Sequence, residues 1–122
     1  MHPLRIKRIH APPAPSDGCR ILVDRLWPRG ISRERARLHE WLKDAAPSHA
    51  LRTQFHARPE EWPDFLVAYG AELAEPPGEA AVRHLLALLG EGPVTLLFAA
   101  RDEVRNNAEA LRLYLENRRG RG

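Results

Sequence analysis

Cysteine is nearly absent from this chain, whose 122 residues include only Cys19. A single cysteine excludes an internal disulfide and leaves no set of thiolates for a structural zinc ion. A chain without disulfides is typical of a reducing compartment. The charged segment from Met1 to His10 also lacks the apolar core of a secretory signal. We therefore expect a cytoplasmic protein.

Long apolar runs are missing as well. The longest, Val94–Ala100, is interrupted by Thr95 and is far shorter than the roughly 20 apolar residues that cross a bilayer. The composition, 43% apolar and 29% charged, is that of a globular protein. The length predicts a single domain, residues 1–122, that buries about two-thirds of its unfolded surface. We expect no association with a membrane.

The sequence patterns of several common catalytic and cofactor sites do not occur. The six histidines show none of the paired helical spacing that binds zinc. No glycine-rich phosphate loop is present, and no serine lies in a nucleophile elbow. Cys19 precedes a predicted strand instead of following one, which indicates a packed thiol more than a nucleophile. We expect no metal ion and no cofactor.

Positive charge exceeds negative charge modestly. The formal net charge is +3, and arginine supplies nearly all of the positive charge. A basic balance is compatible with a nucleic-acid or phosphate partner. Arg118, Arg119 and Arg121 crowd the end of the chain, but no aromatic residues interleave them. A solvated tail is therefore the favoured interpretation of this end.

Three segments are predicted to form strands. Leu4, Ile6 and Ile9 partly alternate with basic residues, as in an edge or second strand. The segment Arg20–Asp24 shows no alternation at its apolar centre, which indicates a central parallel strand. Val94–Ala100 is the clearest strand, because it is apolar and bounded by residues that break secondary structure.

Amphipathic spacing predicts helices in the rest of the chain. Ser32 is expected to cap a helix from Arg33 to about Ala45, and Pro47-Ser48 to end it and begin the next. Asp102 is expected to cap the last helix. This order of elements predicts an α/β protein, a small single-domain three-layer fold with a short, mainly parallel sheet and several helices. The apolar faces of the middle helices comprise Leu51 and Phe55, then Trp62, Phe65, Leu66, Tyr69 and Leu73, and then Val82, Leu85, Leu86 and Leu89.

Polar side chains follow two of the predicted strands. The segment Asp24–Gly30 holds a carboxylate, two guanidinium groups and an indole, and such charges near a core need partners. A second polar group follows Val94–Ala100. The carboxyl ends of neighbouring parallel strands line one crevice, which is where ligands bind in such sheets. If the two strands are neighbours, the side chains that converge are Asp24, Arg25, Trp27, Arg29, Arg101, Asp102 and Asn106, with His10 as a third wall.

The chemistry of this set favours a small anionic ligand, such as a phosphorylated metabolite or a nucleotide. Arginine presents a planar fork that fits carboxylate or phosphate, and Trp27 offers a stacking face. Asp24 is the best candidate for proton transfer, and the nearby arginines are expected to keep it ionised, as suits a base or an anchor. The alternative is structural: Asp24 pairs with an arginine, Trp27 plugs the end of the sheet, and Asp102 only caps a helix.

Several segments resemble the YeaO-like bacterial family, catalogued as domain of unknown function 488. The resemblance runs along nearly the whole chain and implies a small cytoplasmic α/β protein whose biochemical activity is not established. Where that family usually has histidines, this chain has Ala57, Arg105 and Asn107. The residues that carry the resemblance are Asp17-Gly18, Arg20, Leu22–Gly30, Ala46-Pro47-Ser48, Leu51-Arg52, Trp62, Phe65, Tyr69 and Thr95–Ala100.

Three functional hypotheses remain open at this point, and with them whether the chain is an enzyme. The first is an enzyme, or a degenerate enzyme, with a crevice for a small anion. The second is a nucleic-acid-binding or protein-interaction module that uses arginines of the last helix and tail. The third is a structural clasp that holds the end of the sheet together. The arginines of the second hypothesis include Arg101, Arg105, Arg112, Arg118 and Arg119.

Overall fold

A four-stranded parallel sheet forms the centre of the protein in the computed structural model, which describes residues 2–120. The strands are β1 (Leu4–Arg8), β2 (Cys19–Leu22), β3 (Glu40–Trp41) and β4 (Val94–Phe98), and their order across the sheet is β1-β4-β2-β3. Strand β4 is central and pairs with both β1 and β2, so it is buried throughout. The predicted α/β class with a short parallel sheet is confirmed.

Four longer helices cover one face of this sheet. They are α2 (His49–Ala57), α3 (Trp62–Leu73), α4 (Gly78–Glu91) and α5 (Asn107–Gly120). The single-turn helix α1 (Arg33–Ala36) precedes them in the chain. Alternate residues of β4 and apolar residues of all four long helices form one hydrophobic core. Within residues 2–120, no helix is both long enough and apolar enough to cross a membrane.

The other face of the sheet is covered by α1 and by loops, with a smaller apolar cluster. The buried side chains of Asp17 and Arg20 beside that cluster pair with each other. The Asp17 carboxylate accepts hydrogen bonds from Lys7 Nζ at 3.0 Å and Arg20 Nη1 at 2.6 Å. Arg20 also donates to the carbonyl oxygens of Ala36 and Arg37, which fixes the end of α1 against β2. Burial alone would raise the pKa of Asp17, but donors from Ala14, Lys7 and Arg20 outweigh it and lower the pKa.

The predicted helix from Arg33 to about Ala45 is wrong beyond Ala36. Ser32 does cap α1, since its hydroxyl accepts a hydrogen bond from the Arg35 N–H. At Arg37, however, the backbone enters the left-handed region, with φ at 48°, and the helix ends. The chain then adds β3 to the edge of the sheet, where Glu40 and Trp41 align with Ile21 and Leu22. Pairing with an open strand edge overrode the helical spacing of the apolar residues.

Of two predicted helix starts, the start of α2 is confirmed and the start of α5 is wrong. The hydroxyl of Ser48 accepts a hydrogen bond from the Leu51 N–H, so the predicted start of α2 is confirmed. The prediction that Asp102 caps the last helix is wrong, because α5 begins at Asn107. Asp102 instead accepts bonds from the Val104 and Arg105 N–H groups and closes the preceding turn. The side chain of Asn106 caps α5 by accepting from the Glu109 N–H at 2.8 Å.

Candidate functional site

A pocket opens at the carboxyl ends of β2 and β4, where parallel sheets commonly bind ligands. Its volume is about 240 Å³. The chain after β2 forms one wall, the chain after β4 and the start of α5 form the second, and α2 with α3 forms the third. The lining residues are Asp24, Arg25, Leu26, Ala46, Pro47, Arg52, Phe55, His56, Phe65, Ala99, Ala100, Asn106 and Asn107.

Asp24 ties the two strand ends to the last helix. One carboxylate oxygen accepts a hydrogen bond from the Ala99 N–H at 3.0 Å, and the other accepts from Asn107 Nδ2 at 3.0 Å. Its backbone carbonyl accepts from Trp41 Nε1 at 2.7 Å. The acid that follows β2 is therefore held by groups from the end of β4, from α5 and from β3.

The arginines expected beside Asp24 do not pair with its carboxylate in the described part of the chain. No arginine among residues 2–120 lies within ion-pair distance of its carboxylate, so the paired-carboxylate alternative does not apply either. Burial raises the pKa of Asp24, and the bonds from Asn107 and Ala99 and the more distant charge of Arg52 oppose that rise only partly. A half-buried carboxyl with a raised pKa takes up a proton more readily than an exposed aspartate does.

The two arginines that line the pocket differ in the number of hydrogen bonds that their side chains make with the rest of the protein. Arg25 donates from Nε to the Pro47 carbonyl and from Nη2 to the Ala46 carbonyl, both at 3.2 Å. It therefore braces the loop before α2. Arg52, on α2, is half-buried, and its guanidinium makes no hydrogen bond or ion pair with any residue in the described range 2–120. Its charge is thus available to a ligand.

An aromatic group from α2 and α3 supplies the apolar wall. Phe55 stacks on Phe65 with ring centroids 4.4 Å apart, and Phe65 is buried. Trp62 and Tyr69 extend the group behind the pocket surface. The hydroxyl of Tyr69 donates to the Ala45 carbonyl, and burial raises the pKa of that phenol. The Tyr69 hydroxyl thus joins the wall to the chain that precedes α2.

The structure brings some of the predicted site residues together and leaves others outside the pocket. Asp24, Arg25 and Asn106 line it. Asn106 is buried, with its Oδ1 capping α5 and its Nδ2 donating to the Asp102 carbonyl, so both polar atoms are engaged. The residues not in the lining are Trp27, Arg29, Arg101, Asp102 and His10.

Those outside residues have other surroundings. Trp27 packs edge-on against Trp41 with centroids 5.3 Å apart, in the cluster on the opposite face of the sheet, and its Nε1 donates to the Ile31 carbonyl. For Trp27 this packing agrees with the structural alternative and not with the predicted stacking face for a ligand. Arg29 and Arg101 are exposed. Asp102 is also exposed, and the N–H groups of Arg105 and Val104 lower its pKa.

Arg52, His56 and Asn107 line the pocket but were not among the site residues predicted from the sequence. Arg52 and His56 lie on a helix remote in sequence from both polar loops, and only the tertiary packing of α2 brings them to the strand ends. Asn107 follows the end of β4, so its position in the sequence could have indicated a site residue. Its hydrogen bond to Asp24 could not have been predicted from the sequence. Cys19 is half-buried at the opposite end of β2, and burial together with Glu40 and Glu91 raises its pKa.

The fold and the pocket place the protein in a class of small α/β proteins that have a pocket at the carboxyl edge of a parallel sheet. A family model described as "Inactive DUF488-N3 subclade" matches residues 3–121, nearly the whole chain. The protein belongs to this family of domain of unknown function 488, as the resemblance of its motifs indicated.

Similar proteins span the same length. "Uncharacterized protein YeaO" of Escherichia coli (strain K12) is 40% identical over 114 residues, covering 93% of this chain and 97% of the relative. "Uncharacterized protein Rv3073c" of Mycobacterium tuberculosis (strain ATCC 25618 / H37Rv) is 38% identical over 115 residues, covering 94% and 95%. "Uncharacterized protein Mb3100c" of Mycobacterium bovis (strain ATCC BAA-935 / AF2122/97) has the same identity and coverage. No solved structure matches the chain.

Proposed function

We propose that this protein binds a small anionic molecule in the pocket at the ends of β2 and β4, and that it binds without turnover. The observation that carries the proposal is the Arg52 guanidinium, which is half-buried in the pocket lining and has no partner among residues 2–120. A guanidinium group that makes no hydrogen bond to the protein keeps its planar fork of N–H donors for a bound carboxylate or phosphate.

Two observations favour binding over catalysis. Each carboxylate oxygen of Asp24 already accepts a hydrogen bond from the protein, which suits an anchoring role. The matching family model is described as an inactive subclade. The sequence suggested a phosphorylated metabolite or a nucleotide as the anion, and these remain part of the test.

Isothermal titration calorimetry with a panel of phosphorylated and carboxylated metabolites tests the proposal, with Arg52→Gln as the decisive variant. Loss of a charge-assisted, two-pronged contact should weaken binding at least tenfold, or by about 1.4 kcal/mol or more. The unfolding free energy should barely change, because the Arg52 side chain makes no hydrogen bond within residues 2–120. Equal affinity of the variant and the wild type would refute the proposal.

A matched control is available on α4. Arg83 is exposed and lies 3.7 Å from Glu79, so Arg83→Gln removes the same charge at a site away from the pocket. It should leave affinity unchanged. A general loss of binding in both variants would indicate an effect of net charge instead of a local site.

The alternative function, nucleic-acid or protein binding by the last helix and tail, has less support. Arg112 donates to Glu109 at 2.7 and 2.8 Å, and Arg119 pairs with Glu116 at 2.6 Å. These arginines are neutralised within the helix. The alternative predicts salt-sensitive binding to RNA or DNA that weakens when the tail is removed, and absence of binding at low salt would exclude it.

A further inference from the structure

The polar groups of the pocket divide into those already satisfied by the protein and those left for a ligand. Arg25 donates from Nε and Nη2 to two carbonyl oxygens, and both polar atoms of Asn106 are bonded to the backbone around the start of α5. Each oxygen of Asp24 has one donor. A ligand therefore meets few unoccupied polar atoms.

The orientation of Asn107 is fixed by its neighbours. Its Nδ2 donates to the Val23 carbonyl at 3.1 Å and to Asp24 Oδ1 at 3.0 Å, and both of these are acceptors. The Asn107 Oδ1 is thus an acceptor without a donor among residues 2–120. An acceptor of this kind beside Asp24 calls for an O–H or N–H group on the ligand.

The balance of charge in the pocket favours a ligand with a single negative charge. The lining holds two guanidinium groups, Arg25 and Arg52, and one carboxyl group, Asp24, which together carry one positive charge when Asp24 is ionised. One carboxylate matches that charge, whereas a dianion such as phosphate would exceed it.

The size and the walls of the pocket favour an apolar body. A cavity of about 150 Å³ holds a benzene molecule. The pocket here, at about 240 Å³, leaves room for a ring and a short chain. It is smaller than the roughly 300–1,000 Å³ of pockets that hold drug-sized ligands, so a nucleotide would extend beyond it into solvent. The stacked pair Phe55 and Phe65 lines one side, and Leu26, 62% exposed, stands among the lining residues.

We propose that the ligand is a singly charged organic acid with an apolar body of about ring size and one hydrogen-bond donor, that is, an apolar hydroxy acid. Its carboxylate lies on Arg52, its apolar body against Phe55, and its donor on Asn107 Oδ1 and Asp24. This inference rests on the proposed anion site and names the class of molecule that occupies it.

Four probes separate the parts of this inference: phenyllactate, phenylpropionate, inorganic phosphate and adenosine monophosphate. In calorimetric titrations of the full chain, phenyllactate should bind most tightly. Phenylpropionate differs by the missing hydroxyl and should bind about threefold to tenfold more weakly, as expected for one hydrogen bond. Phosphate and adenosine monophosphate should bind at least tenfold more weakly than phenyllactate.

Two variants test where the carboxylate and the phenyl ring of phenyllactate bind. Arg52→Gln should weaken phenyllactate at least tenfold. Phe55→Leu keeps the wall apolar but removes the ring stacked on Phe65, so it should weaken both phenyl acids and leave phosphate binding unchanged. Arg83→Gln, away from the pocket, should change neither.

The outcomes distinguish this inference from the function it rests on. If phosphate or adenosine monophosphate binds more tightly than phenyllactate and loses affinity in Arg52→Gln, the anion site stands and the apolar-acid inference is wrong. If phenylpropionate binds as tightly as phenyllactate, the role of Asn107 Oδ1 is overturned. If no probe binds at millimolar concentration, or if Arg52→Gln has no effect, both proposals fail.

Discussion

Replacing Asp17 with asparagine should destabilise the protein strongly, because it removes the counter-charge of a buried arginine. The side chains of Asp17 and Arg20 are only 7% and 5% exposed and lie 2.6 Å apart. In Asp17→Asn, the Arg20 guanidinium keeps its bonds to the carbonyls of Ala36 and Arg37 but loses its carboxylate. Breaking a buried ion pair by removing one partner costs about 3–5 kcal/mol.

The predicted loss is a large share of the stability of a domain of this size, which is about 5–15 kcal/mol. It corresponds to a fall in the melting temperature of roughly 10–20 °C. Urea unfolding followed by circular dichroism at about pH 7 measures the free-energy difference directly. A control is Glu61→Gln, whose partner Arg58 is 68% exposed, and which should cost less than about 1 kcal/mol.

The pH dependence supplies a second check on the same variant. The folded-state pKa of Asp17 lies below its ordinary value of 3.8, so its contribution is present above that pH and is lost as pH falls through the lowered pKa. The difference between wild type and Asp17→Asn should therefore stay constant from neutral pH to about pH 5 and shrink below about pH 4. A cost under about 1 kcal/mol at neutral pH would refute the reasoning.

Three further substitutions have defined expectations. Gly18→Ala should cost roughly 2 kcal/mol or more in urea unfolding, since Gly18 has φ of 64° and a Cβ there would lie 2.3 Å from the Pro93 carbonyl oxygen; an unchanged midpoint would contradict this. Tyr69→Phe removes the donor to the buried Ala45 carbonyl and should cost about 1–2 kcal/mol by thermal melting, whereas a stabilised variant would be inconsistent with that bond. For Asp24 the folded pKa is raised above 3.8, so wild type should gain stability relative to Asp24→Asn as pH falls through that raised pKa toward 3.8. The opposite slope in urea titrations would argue against a raised pKa.

The strands β1, β2 and β4 were predictable because their signals are local. The apolar run of β4 is bounded by breakers, and the unalternating run of β2 indicated burial on both faces, as the structure shows. Ser48 likewise determines the start of α2, because its hydroxyl accepts a hydrogen bond from the backbone N–H three residues later. For such elements the residues that decide the structure are neighbours in the chain.

The segment around β3 was not predictable in the same way. Leu38, Trp41 and Leu42 have helical spacing, yet the backbone there donates to β2, with the His39 N–H on the Arg20 carbonyl and the Leu42 N–H on the Leu22 carbonyl. That edge of β2 exists only in the assembled sheet. A local pattern cannot show that a strand edge is available to receive it.

The candidate site shows the same division. Asp24 and Asn106 follow strand ends, so their place beside one pocket could be inferred from parallel topology. Trp27 follows the same strand but turns to the opposite face and packs on Trp41. Arg52 comes from α2, whose position over the sheet depends on packing of its aromatic face against α3. Side-chain direction and helix placement are tertiary properties that the sequence pattern does not carry.

The most direct test of the anion pocket is a titration by ¹H–¹⁵N NMR with the acid that binds best. Binding at Arg52 should shift its Nε–H resonance together with the side-chain amide of Asn107 and the backbone amide of Ala100, with one shared dissociation constant. The Nε–H of Arg83 and the resonances of Arg118 should not move. Shifts confined to the last helix, with Arg52 and Asn107 unchanged, would contradict the account.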